Sequence, residues 1–192
     1  MVAAALSFFA ACAALAAEEV PRKAEPCVVC HGPGGNSTDP GMPSLAGQPA
    51  QFISMQLYMF REGNRKDPQM SPMASSLSNA DMNELAAYFS RQKPAVSSHK
   101  TAPENAATGR RLAERHYCVQ CHGPALMGQQ HIPRLAGQQR EYLRTQLRGF
   151  KASTRFDMDG NMTSTAQLLS DADIEILADY LSGLDGPAPS TR

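Results

Sequence analysis

Two short runs carry the chemistry that this chain announces. Residues 27–31 read CVVCH and residues 118–122 read CVQCH, and each is followed by Gly-Pro. Cys-x-x-Cys-His is the attachment signature of a covalently bound haem. Two intervening residues let both sulfurs reach the two vinyl groups of one porphyrin, and the next side chain, an imidazole, points at the iron from the same side. Three other uses of such residues compete. A disulfide needs no histidine, and would not recur with the same histidine in a second place. A zinc knuckle pair normally has its Cys-x-x-Cys units about 15–20 residues apart. A thioredoxin-type motif requires a βαβ context, and none is legible here. The cofactor expectation is therefore two haem c groups. Cys27, Cys30, Cys118 and Cys121 are the attachment thiols, and His31 and His122 are the axial iron ligands.

The sixth ligand must be found among ten methionines, most of which should be core filler. Position within an internal repeat selects two. PSLAGQ (43–48) answers PRLAGQ (133–138), Gln56-Leu57 answers Gln146-Leu147, Phe60 answers Phe150, and Arg65 answers Arg155. MSPMASSLS (70–78) then answers MTSTAQLLS (162–170). Met70 and Met162 are the methionines that share a place in both copies, whereas Met73 faces Thr165 and Met158 has no counterpart. A thioether is a common partner for an axial histidine and raises the potential of the iron. His99, His116 and His131 lack repeat partners and read as solvated surface residues.

The elements that must hold these groups are helical. Ile53, Leu57 and Phe60 follow helical spacing, as do Leu143, Leu147 and Phe150. A final helix in each copy starts at a capping signal, Ser78-x-x-Asp81 or Ser170-x-x-Asp173, and stops by Pro94 or Gly183. A helix over about 104–116 opens the second copy, while Pro21 and Pro26 interrupt its counterpart in the first. The expected organisation is all-α: a first haem domain over 18–93, a linker over 94–103, a second haem domain over 104–186 and a tail over 187–192. Domains this small usually need a staple, which a bonded haem supplies.

Residues 1–17 carry no charged side chain and end in Ala14-Leu15-Ala16, an A-x-A pattern, so they read as a secretory signal peptide despite lacking a basic start. Cys12 falls within it, in a poor lipoprotein context. Formal charge is zero, with 7 Lys/Arg against 8 Asp/Glu over 18–99 and 11 against 10 over 100–192. Neither half is a polycation, so nucleic acid is not an expected partner. Docking is expected on an apolar patch with weak electrostatic steering.

Taken in order and twice over, CxxCHG, PxLAGQ, QL..F, Arg, MxxxxxxLS and the final helix resemble the cytochrome c4 family across nearly the whole mature chain. That resemblance implies two tandem class I cytochrome c folds with His/Met haems near a shared interface, exported to the periplasm and associated with the membrane surface. It implies redox-protein partners, typically a haem–copper terminal oxidase or a quinol–cytochrome c reductase. By the same resemblance, Pro43 and Pro133 match prolines whose carbonyls orient the axial histidines. Arg65 and Arg155 are then candidates to neutralise haem propionates, with a solvated surface arginine as the other reading. The copies differ in length between Gln48 and Met70 and between Gln138 and Met162, so the two haem surroundings need not be equal. Three functions fit such a chain: an electron carrier, the electron-accepting subunit of a larger dehydrogenase, and, less well, a di-haem peroxidase. The first is the main reading, and it makes the protein no enzyme.

Overall fold

Helix-forming sequence and helix-stopping residues alternate along the chain. The computed structural model describes residues 20–185; the expected leader, Cys12 and the tail lie outside them. In the first half the helices are α1 (Glu25–His31), α2 (Ala50–Arg61), α3 (Met70–Ala74) and α4 (Asn79–Arg91). The second half holds α5 (Pro103–Arg115), α6 (Cys118–His122), α7 (Arg140–Lys151), α8 (Asn161–Gln167) and α9 (Asp171–Ser182). Among the described residues β structure is limited to one bridge, Gln129 to Ile132, so the all-α expectation holds. No helix among them is long and apolar enough to cross a membrane.

Both final helices start as the sequence dictates. The Ser78 hydroxyl accepts from the Asp81 amide at 3.2 Å, and the Asp81 carboxylate accepts from the Ser78 amide at 2.9 Å. Ser170 and Asp173 repeat this at 3.1 and 2.9 Å. Each reciprocal box satisfies two amide groups that a helix start otherwise leaves unpaired. Lys23 pairs with Asp81 and ties the turn just before α1 to α4.

Each half closes its own core. Ala24, Ile53, Leu85, Tyr88 and Phe89 are buried together in the first, and Leu112, Leu143, Ile174, Leu177 and Leu181 in the second. Helix α4 packs on α2, and α9 packs on α5 and α7. The α5–α9 crossing is close enough to require glycine: a Cβ at Gly109 would lie 2.3 Å from Cβ of Tyr180.

The linker is held differently from the expectation. Helix α5 begins at Pro103, where a proline fits the first turn. His99 is not a free surface residue: its Nε2 bonds Asp179 Oδ1 at 2.7 Å. The same carboxylate accepts from the Ala102 amide at 3.0 Å and Asn105 Nδ2 at 2.9 Å. Asp179 stands where the first half has Ala87, so this anchor belongs to the second half alone.

Candidate functional site

Helical spacing explains the grouping of donors. Cys27 and Cys30 sit three residues apart on α1, Cys118 and Cys121 likewise on α6, so each pair shares one helix face. None of the four is in a disulfide. Cys27 and Cys118 are half-buried, and burial pushes their thiols up, towards the protonated form; Cys30 and Cys121 are exposed. Gly32 and Gly123 follow each histidine with φ of 78° and 81°, a conformation that ends the helix there and is open to glycine at no steric cost.

Both histidines are buried, at 5% and 3% exposure. His31 Nδ1 donates to the Pro43 carbonyl at 2.8 Å, and His122 Nδ1 donates to the Pro133 carbonyl at 2.8 Å. A carbonyl can only accept, so Nδ1 carries the proton and the Nε2 lone pair is free for a metal. Burial lowers the pKa of both rings and outweighs the opposing carbonyl bond, which keeps them neutral. A neutral imidazole with a fixed tautomer beside two unpaired thiols is the donor set that haem c requires.

Met70 opens α3, and its amide donates to Asp67 Oδ1 at 2.8 Å. Met162 lies in the first turn of α8, and its amide donates to Asp157 Oδ2 at 2.7 Å. Asp67 and Asp157 each stand two residues beyond the repeated arginine, so one anchor is used twice although the loops differ by two residues. Both methionines are partly buried, whereas Met73 and Met158 are 47% and 70% exposed.

The repeated arginines meet between the halves. Arg65 donates to Gln56 at 2.5 Å, to Gln146 at 3.0 Å and to the Tyr142 hydroxyl at 3.2 Å. Arg155 donates to Gln146 at 2.5 Å and lies over the Phe150 ring, as Arg65 lies over Phe60. Burial pushes the Arg155 pKa down to about 10, and its Nε is buried without a partner. Burial would raise the Tyr142 phenol, but the two guanidinium groups outweigh it and lower its pKa. This is a cationic cluster with donor capacity left for an anion.

The resemblance implied a shared interface, but sequence reasoning did not find the residues that form it. The Gln48 amide donates to the Arg134 carbonyl at 3.0 Å and accepts from the Arg134 amide at 2.9 Å. Gln138 donates to the Ser44 carbonyl at 2.9 Å and accepts from the Ser44 amide at 2.7 Å. Gln48 and Gln138 close the repeated hexapeptides, and Ser44 and Arg134 are equivalent within them. The halves therefore meet through the same residues on both sides. Each clasp ends one residue beyond a proline that receives a histidine.

The cytochrome c family profile matches residues 21–93 and again 106–185. The thiosulfate dehydrogenase electron acceptor of Thiomonas intermedia (strain K12) is 38% identical over 189 residues, covering 91% of this chain and 85% of that protein. Cytochrome c4 of Azotobacter vinelandii is 36% identical over 180 residues, covering 84% and 86%. The crystal structure of reduced recombinant cytochrome c4 from Pseudomonas stutzeri superposes with a TM-score of 0.79 at 34% identity, covering 84% of this chain and 95% of that one. With two matching domains, two CxxCH motifs and relatives of this kind, the chain belongs to the cytochrome c family, as a di-haem electron carrier of the cytochrome c4 type that holds two covalent haem c groups.

Proposed function

We propose that this chain shuttles electrons on the outer side of the cytoplasmic membrane, with one haem in each half, and passes them to a respiratory terminal oxidase. Two buried, neutral imidazoles carry this reading. Each follows a CxxC pair, and each donates Nδ1–H to a proline carbonyl at 2.8 Å. Covalently attached haem supplies one-electron chemistry between Fe(III) and Fe(II). The chain's part is to fix the iron's surroundings. The thiols of Cys27 and Cys30, and of Cys118 and Cys121, would hold the two haems as thioethers on their vinyl groups. His31 and His122 present Nε2 to the irons, and the Pro43 and Pro133 carbonyls hold their rings.

Met70 and Met162 would hold the sixth positions. Their shared anchor on Asp67 and Asp157, and their burial relative to Met73 and Met158, support that choice. Two closed positions favour a carrier over a peroxidase, which needs an open iron. Arg65 and Arg155 would receive haem propionates: the two guanidinium groups meet on Gln146 between the halves, and Arg155 Nε is buried without a hydrogen-bond partner. Domain limits at 18–93 and 104–186, and export to the periplasm by residues 1–17, complete the reading, with association at the membrane surface.

A second reading makes the chain the electron-accepting partner of a dehydrogenase. The 38% identity to a thiosulfate dehydrogenase electron acceptor favours it. One set of experiments separates the two. Purified protein is assayed for haems per chain, titrated for two midpoint potentials, then mixed with oxidase-containing membranes and, separately, with a thiosulfate dehydrogenase and thiosulfate. Rapid reoxidation by membranes supports the carrier, and rapid reduction by the dehydrogenase supports the acceptor. A single haem per chain defeats both.

A further inference from the structure

The repeated hexapeptides differ at a single place, and the difference is buried. Ser44 in the first faces Arg134 in the second, and Arg134 is 2% exposed. Its Nη1 donates to the Ala136 carbonyl, and its Nη2 donates to the Ala46 carbonyl at 3.1 Å. Ala46 and Ala136 are themselves equivalent positions. The guanidinium therefore lies between matching carbonyls of the two halves, although its backbone belongs to the second.

Nothing of opposite charge balances it among the described residues. Its two bonds are to neutral carbonyls, its Nε is buried without a partner, and burial pushes its pKa down to about 10 with no carboxylate acting against that. A cation in such a place interacts strongly, because little water screens it. Each carbonyl it binds lies three residues beyond the proline that receives an axial histidine, Pro43 for His31 and Pro133 for His122. The charge thus lies on both of the segments that receive the two histidines. An oxidised iron carries one more positive charge than a reduced one, so a fixed cation nearby disfavours oxidation.

We propose that Arg134 is a shared electrostatic element, one buried cation that raises the potentials of both haems together. The inference rests on His31 and His122 as axial ligands. It goes beyond that reading by assigning Arg134 a role towards both sites.

Spectroelectrochemical titration of holo-protein tests it with three variants: Arg134→Met and Arg134→Ser remove the charge, and Arg134→Lys keeps it. Serine already occupies the equivalent place in the first half, so that variant supplies the neutral comparison if Met is not accommodated. Haem count per chain and the Soret circular dichroism of each variant confirm that both sites are loaded and folded. In the neutral variants both midpoints should fall, each by up to about tenfold in the reduction equilibrium, or about 59 mV for one electron. Arg134→Lys should stay near the wild type. Unchanged potentials in a loaded neutral variant overturn the proposal. So does a fall confined to one haem, or a fall in Arg134→Lys as large as in Arg134→Met. A wild type with fewer than two haems points instead to failure of the di-haem assignment.

Discussion

Gln48 and Gln138 bind opposite halves of the molecule in the same way, each spanning the backbone amide and carbonyl of one residue across the interface. Both amides are buried, at 2% and 3% exposure. Truncating either side chain leaves a buried N–H and a buried C=O without partners, at about 1–3 kcal/mol for each group so exposed to loss. Gln48→Ala or Gln138→Ala should therefore lower thermal stability by several degrees, and the double variant should split one calorimetric transition into two as the halves uncouple. A single transition that stays at the wild-type temperature in the double variant contradicts this role.

The clasp also shows where sequence reading stops. Its partners are backbone amide and carbonyl groups, so no complementary side chain marks them. Gln48 and Gln138 stand out as repeated residues, but repetition does not say that they cross. The capping boxes at Ser78 and Ser170 were fully legible, because the side chain and its partner lie three residues apart. The haem motifs were legible for the same reason. Leu126 illustrates a middle case. Its carbonyl accepts the Leu135 and Ala136 amides as Gly35 accepts those of Leu45 and Ala46. Gly35 signals the left-handed turn by its identity, at φ 77°, whereas Leu126 reaches φ 56° with a bulky side chain held by burial. Local propensity pointed away from that turn, and tertiary packing overrode it. The anchoring of His99 on Asp179 escaped because its partner lies 80 residues away.

Asp179 gives the linker a pH dependence. Burial alone would raise its pKa, but hydrogen bonds from Asn105, His99 and the Ala102 amide outweigh that and lower it below the ordinary aspartate value. A carboxyl with a depressed folded-state pKa contributes stability that is present above its unfolded pKa of about 4 and lost as pH falls through the folded value. Asp179→Ala should cost about 2 kcal/mol near neutrality. The gap between variant and wild type should narrow below about pH 4. Denaturant titrations across pH 3–7 measure it, and a gap that widens on acidification runs against the assignment.

Gly109 fixes the separation of α5 and α9. A Cβ there would stand 2.3 Å from Cβ of Tyr180, far inside contact distance, with the Tyr180 ring 2.6 Å away. The helices must move apart or bend to accept it. Gly109→Ala should destabilise the protein by about 1–3 kcal/mol despite alanine's better helix propensity. Thermal unfolding followed at 222 nm reads the effect, and an unchanged or raised midpoint would mean that the crossing is slack.

Assignment of Met70 and Met162 as iron ligands makes the sharpest demands. With both positions filled, the reduced protein should bind carbon monoxide slowly, and peroxide turnover should be slight. Met70→Ala should open the first iron and Met162→Ala the second, each visible as loss of a low-spin spectrum at one haem. The potential of that haem should fall, because a thioether favours Fe(II) relative to the water or hydroxide that replaces it. Met73→Ala and Met158→Ala are the controls and should leave both irons six-coordinate, since those residues are exposed where Met70 and Met162 are partly buried. Asp157 supplies an independent check. Its carboxylate holds the Met162 amide at 2.7 Å and the Thr163 amide at 3.1 Å. Asp157→Ala should loosen the loop and produce a partial version of the Met162→Ala phenotype while sparing the first haem. The loop before Met162 is two residues longer than its counterpart, and Met158 lies inside it, so a register error would surface there. Should Met158→Ala open the second iron while Met162→Ala does not, the shared aspartate anchor has been misread as a mark of the ligand, and the two halves hold their irons by different rules.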